Sequence, residues 1–363
     1  MKIDFLINKM SGGGAERVVS LLANHLSKKG LEIRIITFTG SDNYELEPEI
    51  KRIKLHNHPL FHSVVVNGFF SLLSFYRKKE NRPDIMSSHI TLLSFCTIPI
   101  AKIFNIKIII SEHINHSYSN NLIKRILREK IYRFADLITV LTSYDVPYFR
   151  KNHKNVQLLP NPCTFVRVEE YEITSRPKNK TKVILAIGDL NRYHHKGFDN
   201  LIEIAEKVLP DLKDWKLKIV GGGDEGLEKL SQIVHDKGLE EQIIFTGFRS
   251  DIRELLKQSE IFILPSRFEG LPMTLLEAMS QGVCCIAYDC ISGPSDIISH
   301  KENGWLVENQ NISEMANSLE HLMLNTSLRK KLAIEAPNAL NKFDINLIGD
   351  QWLAHFENLL NSK

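Results

Sequence analysis

Cysteine is scarce in this sequence and shows no ligand-like spacing. Cys96, Cys163, Cys284, Cys285 and Cys290 form an odd set with no Cys-x-x-Cys spacing, which argues against both a disulfide framework and a zinc ribbon and points to a reducing compartment. Long apolar runs are missing as well. The two most hydrophobic stretches, Val64 to Phe75 and Ile90 to Ala101, each run to about 12 residues and contain Asn67 and Pro99 respectively, short of the ~18 to 20 apolar residues that a membrane span requires. The opening Met1-Lys2-Ile3-Asp4 reads as the start of a strand, without the charged, apolar and cleavage regions of a signal peptide. Neither Asp-x-Asp nor His-Glu-x-x-His occurs, so the sequence offers neither of those metal-binding spacings. These absences leave a cytoplasmic protein, attached to a membrane at most peripherally.

A strong charge of one sign is also absent, since the 363 residues carry a formal net charge of only +3. That small sum hides an imbalance. Residues 1–165 hold 23 Lys and Arg against 13 Asp and Glu, whereas the remainder holds 23 against 30. A basic half joined to an acidic one suggests that the first half meets something anionic, such as a phosphate group, a nucleic acid or a membrane surface. Nucleic acid is the weakest of these, because the basic residues lack interleaved aromatics suited to stacking bases. With 43% hydrophobic residues the chain is neither disordered nor collagen-like, and it is long enough for two globular units.

Short β-branched runs alternate with segments of helical period, the pattern of parallel sheets with crossover helices. Strands are expected at Ile3–Ile7, Ile33–Phe38, Ile85–Ser88, Ile108–Ser111, Leu137–Leu141 and Val156–Leu159, with helices such as Glu16–Lys28 and Leu122–Phe134 between them. A second set follows at Lys182–Ile187, Lys216–Val220, Ile243–Thr246, Ile261–Leu264 and Cys284–Tyr288. The polar stretch from Glu169 to Lys180 has no period and reads as a linker. The expectation is an α/β protein of two doubly wound domains in series, with ligands at the carboxyl ends of the strands.

Three loops could carry chemistry. Ser11-Gly12-Gly13-Gly14-Ala15-Glu16-Arg17 follows the first strand and opens a helix, so it serves either as a structural turn or as an anion cradle at a helix N-terminus. It lacks the third glycine of the dinucleotide fingerprint. Gly221-Gly222-Gly223-Asp224-Glu225-Gly226 has the same form, but its two acids repel phosphate unless they cap the helix. The most specific segment is Phe268 to Met279. There Glu269 lies in a loop and Glu277 about two turns into the next helix, flanking backbone amides from Gly270 to Thr274 that suit a pyrophosphate. Spacing alone fits two solvated glutamates equally well.

The Ser-x3-Glu-Gly-x-Pro-x4-Glu-Ala element from Ser266 to Ala278 resembles the donor-binding signature of the retaining GT-B glycosyltransferases of family four. The resemblance extends through the Gly12–Arg17 loop, Ser111-Glu112-His113, Leu159-Pro160-Asn161-Pro162, Gly188 through Lys196-Gly197-Phe198, Phe245-Thr246-Gly247-Phe248 and Glu302 through Val307. It implies two Rossmann-like domains facing across a cleft. Residues 1–165 would form the acceptor-side domain, with a C-terminal helix in 346–363 packing back on it, and residues 166–345 would bind the nucleotide sugar. It further implies that Glu277 binds the ribose, Glu269 the donor-sugar hydroxyls and Lys196 the diphosphate. Gly13, Gly14, Phe248, Gly270, Leu271, Pro272 and Thr274 would complete the donor site, and His113 would lie beside the reacting sugar. No cofactor and no metal are expected, the nucleotide sugar being a substrate.

Two departures from the family pattern stand out. Asp189 occupies the place of a phosphate-binding arginine, so that charge is expected from Arg192. The usual Gly-x-Pro is Gly282-Val283-Cys284, with Cys284 read as a small buried residue. Lys124, Arg125, Arg128, Lys130 and Arg133 crowd one expected helix together with several apolar residues. That helix either lies on anionic lipid or packs its apolar stripe on its own domain. The resemblance favours the first, and Arg17, Lys124, Arg125 and Arg128 are then expected at the acceptor or the inner membrane face. The activity implied is transfer from a UDP-sugar to a lipid-linked glycan in surface polysaccharide synthesis. A nucleotide-sugar epimerase of the same fold and a non-catalytic nucleotide-sugar sensor at the membrane surface are its rivals.

Overall fold

Runs rich in Ile and Val, apolar on both faces, form the strands of two all-parallel sheets, as expected where helices cover both sides. The computed structural model describes residues 1–361 apart from 41, 56–63, 119–120 and 178–179. Lys178 and Asn179 of the expected linker, and positions 362–363 of the expected C-terminal helix, lie outside the described residues. The chain divides into two compact units, one of Met1–Thr164 with Phe343–Lys363 and one of Phe165–Lys342.

In the first unit the strands are β1 (Lys2–Leu6), β2 (Glu32–Thr37), β3 (Lys51–Lys54), β4 (Ile85–Ser88), β5 (Lys107–Ser111), β6 (Leu137–Val140) and β7 (Val156–Leu158). Their order across the sheet is β3-β2-β1-β4-β5-β6-β7. Register places Asp4 of β1 opposite Arg34 of β2, and the two form a fork-on-fork pair with both contacts at 2.6 Å. The Tyr76 hydroxyl donates to the same carboxylate at 2.6 Å. Such a buried pair survives because its polar atoms are satisfied together. The helix Ile345–Asn361 belongs to this unit and brings the Trp352 ring 6.4 Å from Phe5 and 6.0 Å from His89.

The second unit contains β8 (Lys182–Ile187), β9 (Trp215–Val220), β10 (Ile243–Phe245), β11 (Ile261–Leu264), β12 (Cys284–Asp289) and β13 (Trp305–Glu308), in the order β10-β9-β8-β11-β12-β13. Its core gathers Trp215, Phe198, Leu201, Ile219 and Leu319 around the sheet. Cys284 is buried, and burial pushes its thiol up to about 12, consistent with packing and not nucleophilic chemistry.

Three expectations need correction. Strands β3 and β13 were not anticipated; both are four-residue edge strands, and Lys-Arg-Ile-Lys in particular is too charged to show an apolar alternation. The segment read as a linker contains a helix, Glu170–Thr174, closed by a capping box between Glu169 and Glu172. It is fastened to the second unit where Arg176 Nη1 donates to the Gly282 carbonyl at 3.1 Å. Finally, Leu122–Phe134 is not one regular helix. It runs as α over Leu122–Ile126, π over Leu127–Ile131 and 3₁₀ over Tyr132–Phe134. The wider turn lets both Leu127 and Arg128 point inward.

Candidate active site

In each sheet the connections leave in opposite directions from the two central strands, and the loops beyond their carboxyl ends are left without a helix between them. In the second unit these strands are β8 and β11. The chain beyond β8 carries Lys196 at the end of the short helix Tyr193–Lys196, and the chain beyond β11 carries Glu269. The structure brings the two together, with Lys196 Nζ 2.7 Å from Glu269 Oε1. Gly197 makes this approach possible. Its φ is +70°, and a Cβ there would lie 1.9 Å from the Pro265 carbonyl oxygen.

Ser266 Oγ also donates to Glu269 Oε1 at 2.7 Å, and Ser292 Oγ donates to the Glu269 and Gly270 carbonyls at 2.8 and 3.2 Å. Burial alone would push the Glu269 carboxyl up, but the charge and hydrogen bond of Lys196, with the hydrogen bond from Ser266, outweigh it and hold it below its ordinary range. Arg267 braces the first turn of the helix Phe198–Val208 through Asp199 Oδ1 at 2.7 Å and Asn200 Oδ1 at 2.5 Å. Sequence reading had given Ser266, Arg267 and Ser292 no role. Ser266 and Arg267 lie inside the quoted motif, whereas Ser292 carries no signal.

The helix after Glu269 runs Met273–Ser280 with Pro272 at its N-cap, so Glu277 stands just over one turn in, not two. Pro272 also lacks an N–H, which confines the helical N–H groups at this end to Met273 and beyond. Leu271, Pro272 and Glu277 are buried and Thr274 is half-buried, whereas Phe248 is 82% exposed. Asp189 caps the 3₁₀ turn Leu190–Arg192 by accepting from Asn191 N at 3.0 Å, which gives this acid a structural reason. Arg192 is exposed on that turn. The second glycine cluster is a packing device. A Cβ at Gly221 would lie 1.7 Å from Gly188 O, and one at Gly226 1.8 Å from Leu190 O. A separate depression of about 830 Å³ lined by Arg176, Lys216, Lys218 and Lys257 contains none of the candidate residues.

In the first unit, Gly13 is the N-cap of the helix Gly14–Lys28. The Glu16 carboxylate folds back against it, so that a Cβ on Gly13 would meet Glu16 Oε2 at 2.1 Å. The positive end of that helix therefore already faces an acid. Arg17 is half-buried on its next residue. His113, just beyond β5, accepts or donates through Nε2 to His89 Nδ1 at 2.9 Å. Burial lowers His113 to about 4, which favours a neutral imidazole over an imidazolium.

The placement of Arg128 at the acceptor or membrane is overturned. Its side chain is only 2% exposed and is held by Glu112 Oε2 at 2.7 Å and the His116 carbonyl at 3.0 Å. Tyr132 donates to the other Glu112 oxygen. Arg128 thus anchors the helical run, because a charge so deeply buried must be paired. Arg125, Lys130 and Arg133 remain exposed beside Leu122, Ile123, Ile126 and Phe134, while Lys124 is half-buried.

Comparison with known proteins defines the class first. Over its whole length the chain superposes on sucrose-phosphate synthase from Thermosynechococcus elongatus with a TM-score of 0.83 at 17% identity, all of both chains being covered. It superposes on the Anabaena protein HepE in complex with UDP and glucose with a TM-score of 0.81 at 17% identity, covering 99% of this chain and 100% of the other. The fold is therefore that of the GT-B glycosyltransferases. Residues 12–164 match the model for Glycosyltransferase Family 4 and residues 168–339 that for Glycosyl transferases group 1. A Campylobacter jejuni relative is 30% identical over 97% of each chain; its name is GalNAc-alpha-(1->4)-GalNAc-alpha-(1->3)-diNAcBac-PP-undecaprenol alpha-1,4-N-acetyl-D-galactosaminyltransferase. The chain belongs to glycosyltransferase family 4.

Proposed function

We propose that this glycosyltransferase moves a hexose or N-acetylhexosamine, with retention, from a UDP-sugar to a polyprenyl-pyrophosphate-linked glycan. The observation that carries the reading is the meeting of Lys196 and Glu269 at the switch point of the second sheet. An ammonium has three donors, and among the described residues Glu269 is its hydrogen-bond partner, which leaves donors for a diphosphate. The UDP bound in HepE and the undecaprenol-linked acceptor in the name of the Campylobacter relative support the choice of donor and acceptor.

In this reading Glu269 accepts from hydroxyls of the donor sugar and Glu277 from the ribose. The anomeric carbon to phosphate-oxygen bond breaks while the acceptor hydroxyl attacks from the same face, and its proton passes to the departing phosphate oxygen. Lys196 stabilises the charge growing on that leaving group. His113, neutral, donates a hydrogen bond to a substrate oxygen, and Lys196 supplies the charge so that no step calls for a metal. The exposed apolar and basic residues from Leu122 to Phe134 lie on the anionic inner face of the membrane where the acceptor is presented.

A screen of UDP- and GDP-sugars by thermal shift, followed by transfer to an undecaprenyl-pyrophosphate glycan, tests the reading. Glu269→Ala and Glu277→Ala should each reduce transfer at least a hundredfold, and EDTA should leave the wild-type rate unchanged. Full turnover in both variants would overturn the site.

A further inference from the structure

The first unit holds a second buried histidine that the family motifs do not mark. His89 directly follows β4, next to β5 in the sheet, and is 1% exposed. Its Nδ1 lies 2.9 Å from His113 Nε2, and its Nε2 lies 2.9 Å from Ser87 Oγ. The ring is fixed by Phe5 at 5.3 Å and Trp352 at 6.0 Å. At the other end of this chain, His113 Nδ1 is buried and has no hydrogen-bond partner among the described residues. A buried polar atom left unsatisfied is costly, and in a native site it marks the place of a ligand atom or water.

We propose that His89 is a positioning residue: the chain Ser87–His89–His113 locks His113 in the tautomer that presents Nδ1–H as a neutral donor to an oxygen of the nucleotide-sugar substrate. Two neutral imidazoles can share one hydrogen bond only if one donates and the other accepts. With the Ser87 hydroxyl donating to His89 Nε2, His89 Nδ1–H donates to His113 Nε2, and the only proton left to His113 sits on Nδ1. The reverse arrangement would leave a bare lone pair at Nδ1, unable to donate to a sugar or phosphate oxygen. Burial keeps both rings neutral by lowering each histidine, so the choice is between tautomers and not between charge states. The identity of the substrate rests on the proposed function; the tautomer lock does not.

The experiment is ¹⁵N NMR of histidine-labelled protein at neutral pH, with His113 assigned from a His113→Asn variant. Wild type should show His113 protonated at Nδ1 alone. His89→Leu should give a mixture of tautomers. His89→Asn, whose amide can reproduce a contact made through Nδ1, should keep the single form, and His89→Gln should not. If the leucine variant fails to fold, the asparagine and glutamine pair decides. An unchanged His113 tautomer in every folded His89 variant would overturn the proposal. Transfer from the donor found in the screen supplies a second reading: His89→Leu should lower kcat about tenfold or more with little change in donor KM, and His89→Asn should restore most of it. An active His113→Ala protein would instead sink the role of His113 in the reaction, while leaving the tautomer result standing.

Discussion

Lys196 Nζ and Glu269 Oε1 lie 2.7 Å apart, with side chains 18% and 9% exposed, so each charge depends on the other for its place in the unit. Removing one partner of such a pair leaves the other buried and unpaired. Lys196→Ala should destabilise the second unit by about 3 kcal/mol, measured by urea unfolding. The double variant Lys196→Ala with Glu269→Ala should cost less than the sum of the two single variants. Strict additivity would show that the pair contributes nothing.

The same pair sets an acid limit. Because the folded carboxyl of Glu269 lies below its ordinary 4.5, the unfolded chain takes up the proton first as pH falls. The contribution of the pair is therefore complete above about pH 4.5 to 5 and disappears as pH drops through the folded value. The melting-temperature difference between wild type and Glu269→Gln should hold steady from pH 7 to 5 and shrink below 4.5. A difference that grew on acidification would contradict this direction.

Gly197 should be irreplaceable for geometric reasons. Alanine there meets both a positive φ and the Pro265 carbonyl. We expect Gly197→Ala to cost about 2 kcal/mol or more and to weaken nucleotide binding by displacing Lys196, read by isothermal titration with UDP. Gly238 also has a positive φ, +65°, but a Cβ there would meet nothing within 4 Å. Gly238→Ala is the control and should leave UDP binding intact.

Basic residues on the Leu122–Phe134 run should separate into two kinds. Arg128→Met leaves Glu112 buried without its cation and should destabilise the first unit by about 3 kcal/mol. Replacing Arg125, Lys130 and Arg133 together with serine should hardly alter melting. At roughly 1 kcal/mol per charge near an anionic surface, it should weaken co-sedimentation with phosphatidylserine vesicles by about two decades. Unchanged sedimentation would dismiss the membrane role.

What the sequence made legible follows from where information is local. Strands Lys182–Ile187 and Ile261–Leu264 were read to the residue because they are short runs rich in Ile, Val and Leu, bounded by polar residues, Gly or Pro. Glu269 and Lys196 could be named from their motifs, but their contact could not, since it depends on two loops 73 residues apart meeting at one switch point. The inward turn of Arg128 was hidden by the π segment, which shifts the helical period by a fraction of a turn. Helical periodicity therefore counted it with its solvent-facing neighbours. His89 follows a strand much as His113 does, yet it belongs to no motif, and only the sheet order that puts β4 beside β5 gives it meaning.

The helix Ile345–Asn361 has a consequence for how the protein is made. Trp352 and Phe356 complete the core around Phe5 and His89, whereas the second unit draws on one unbroken segment, Phe165–Lys342. During synthesis the segment translated later can thus mature first, while the basic unit waits for its closing helix. This connectivity would reverse the usual N-terminal-first order of domain folding, with the Ser87–His89–His113 chain among the last parts of the molecule to be assembled.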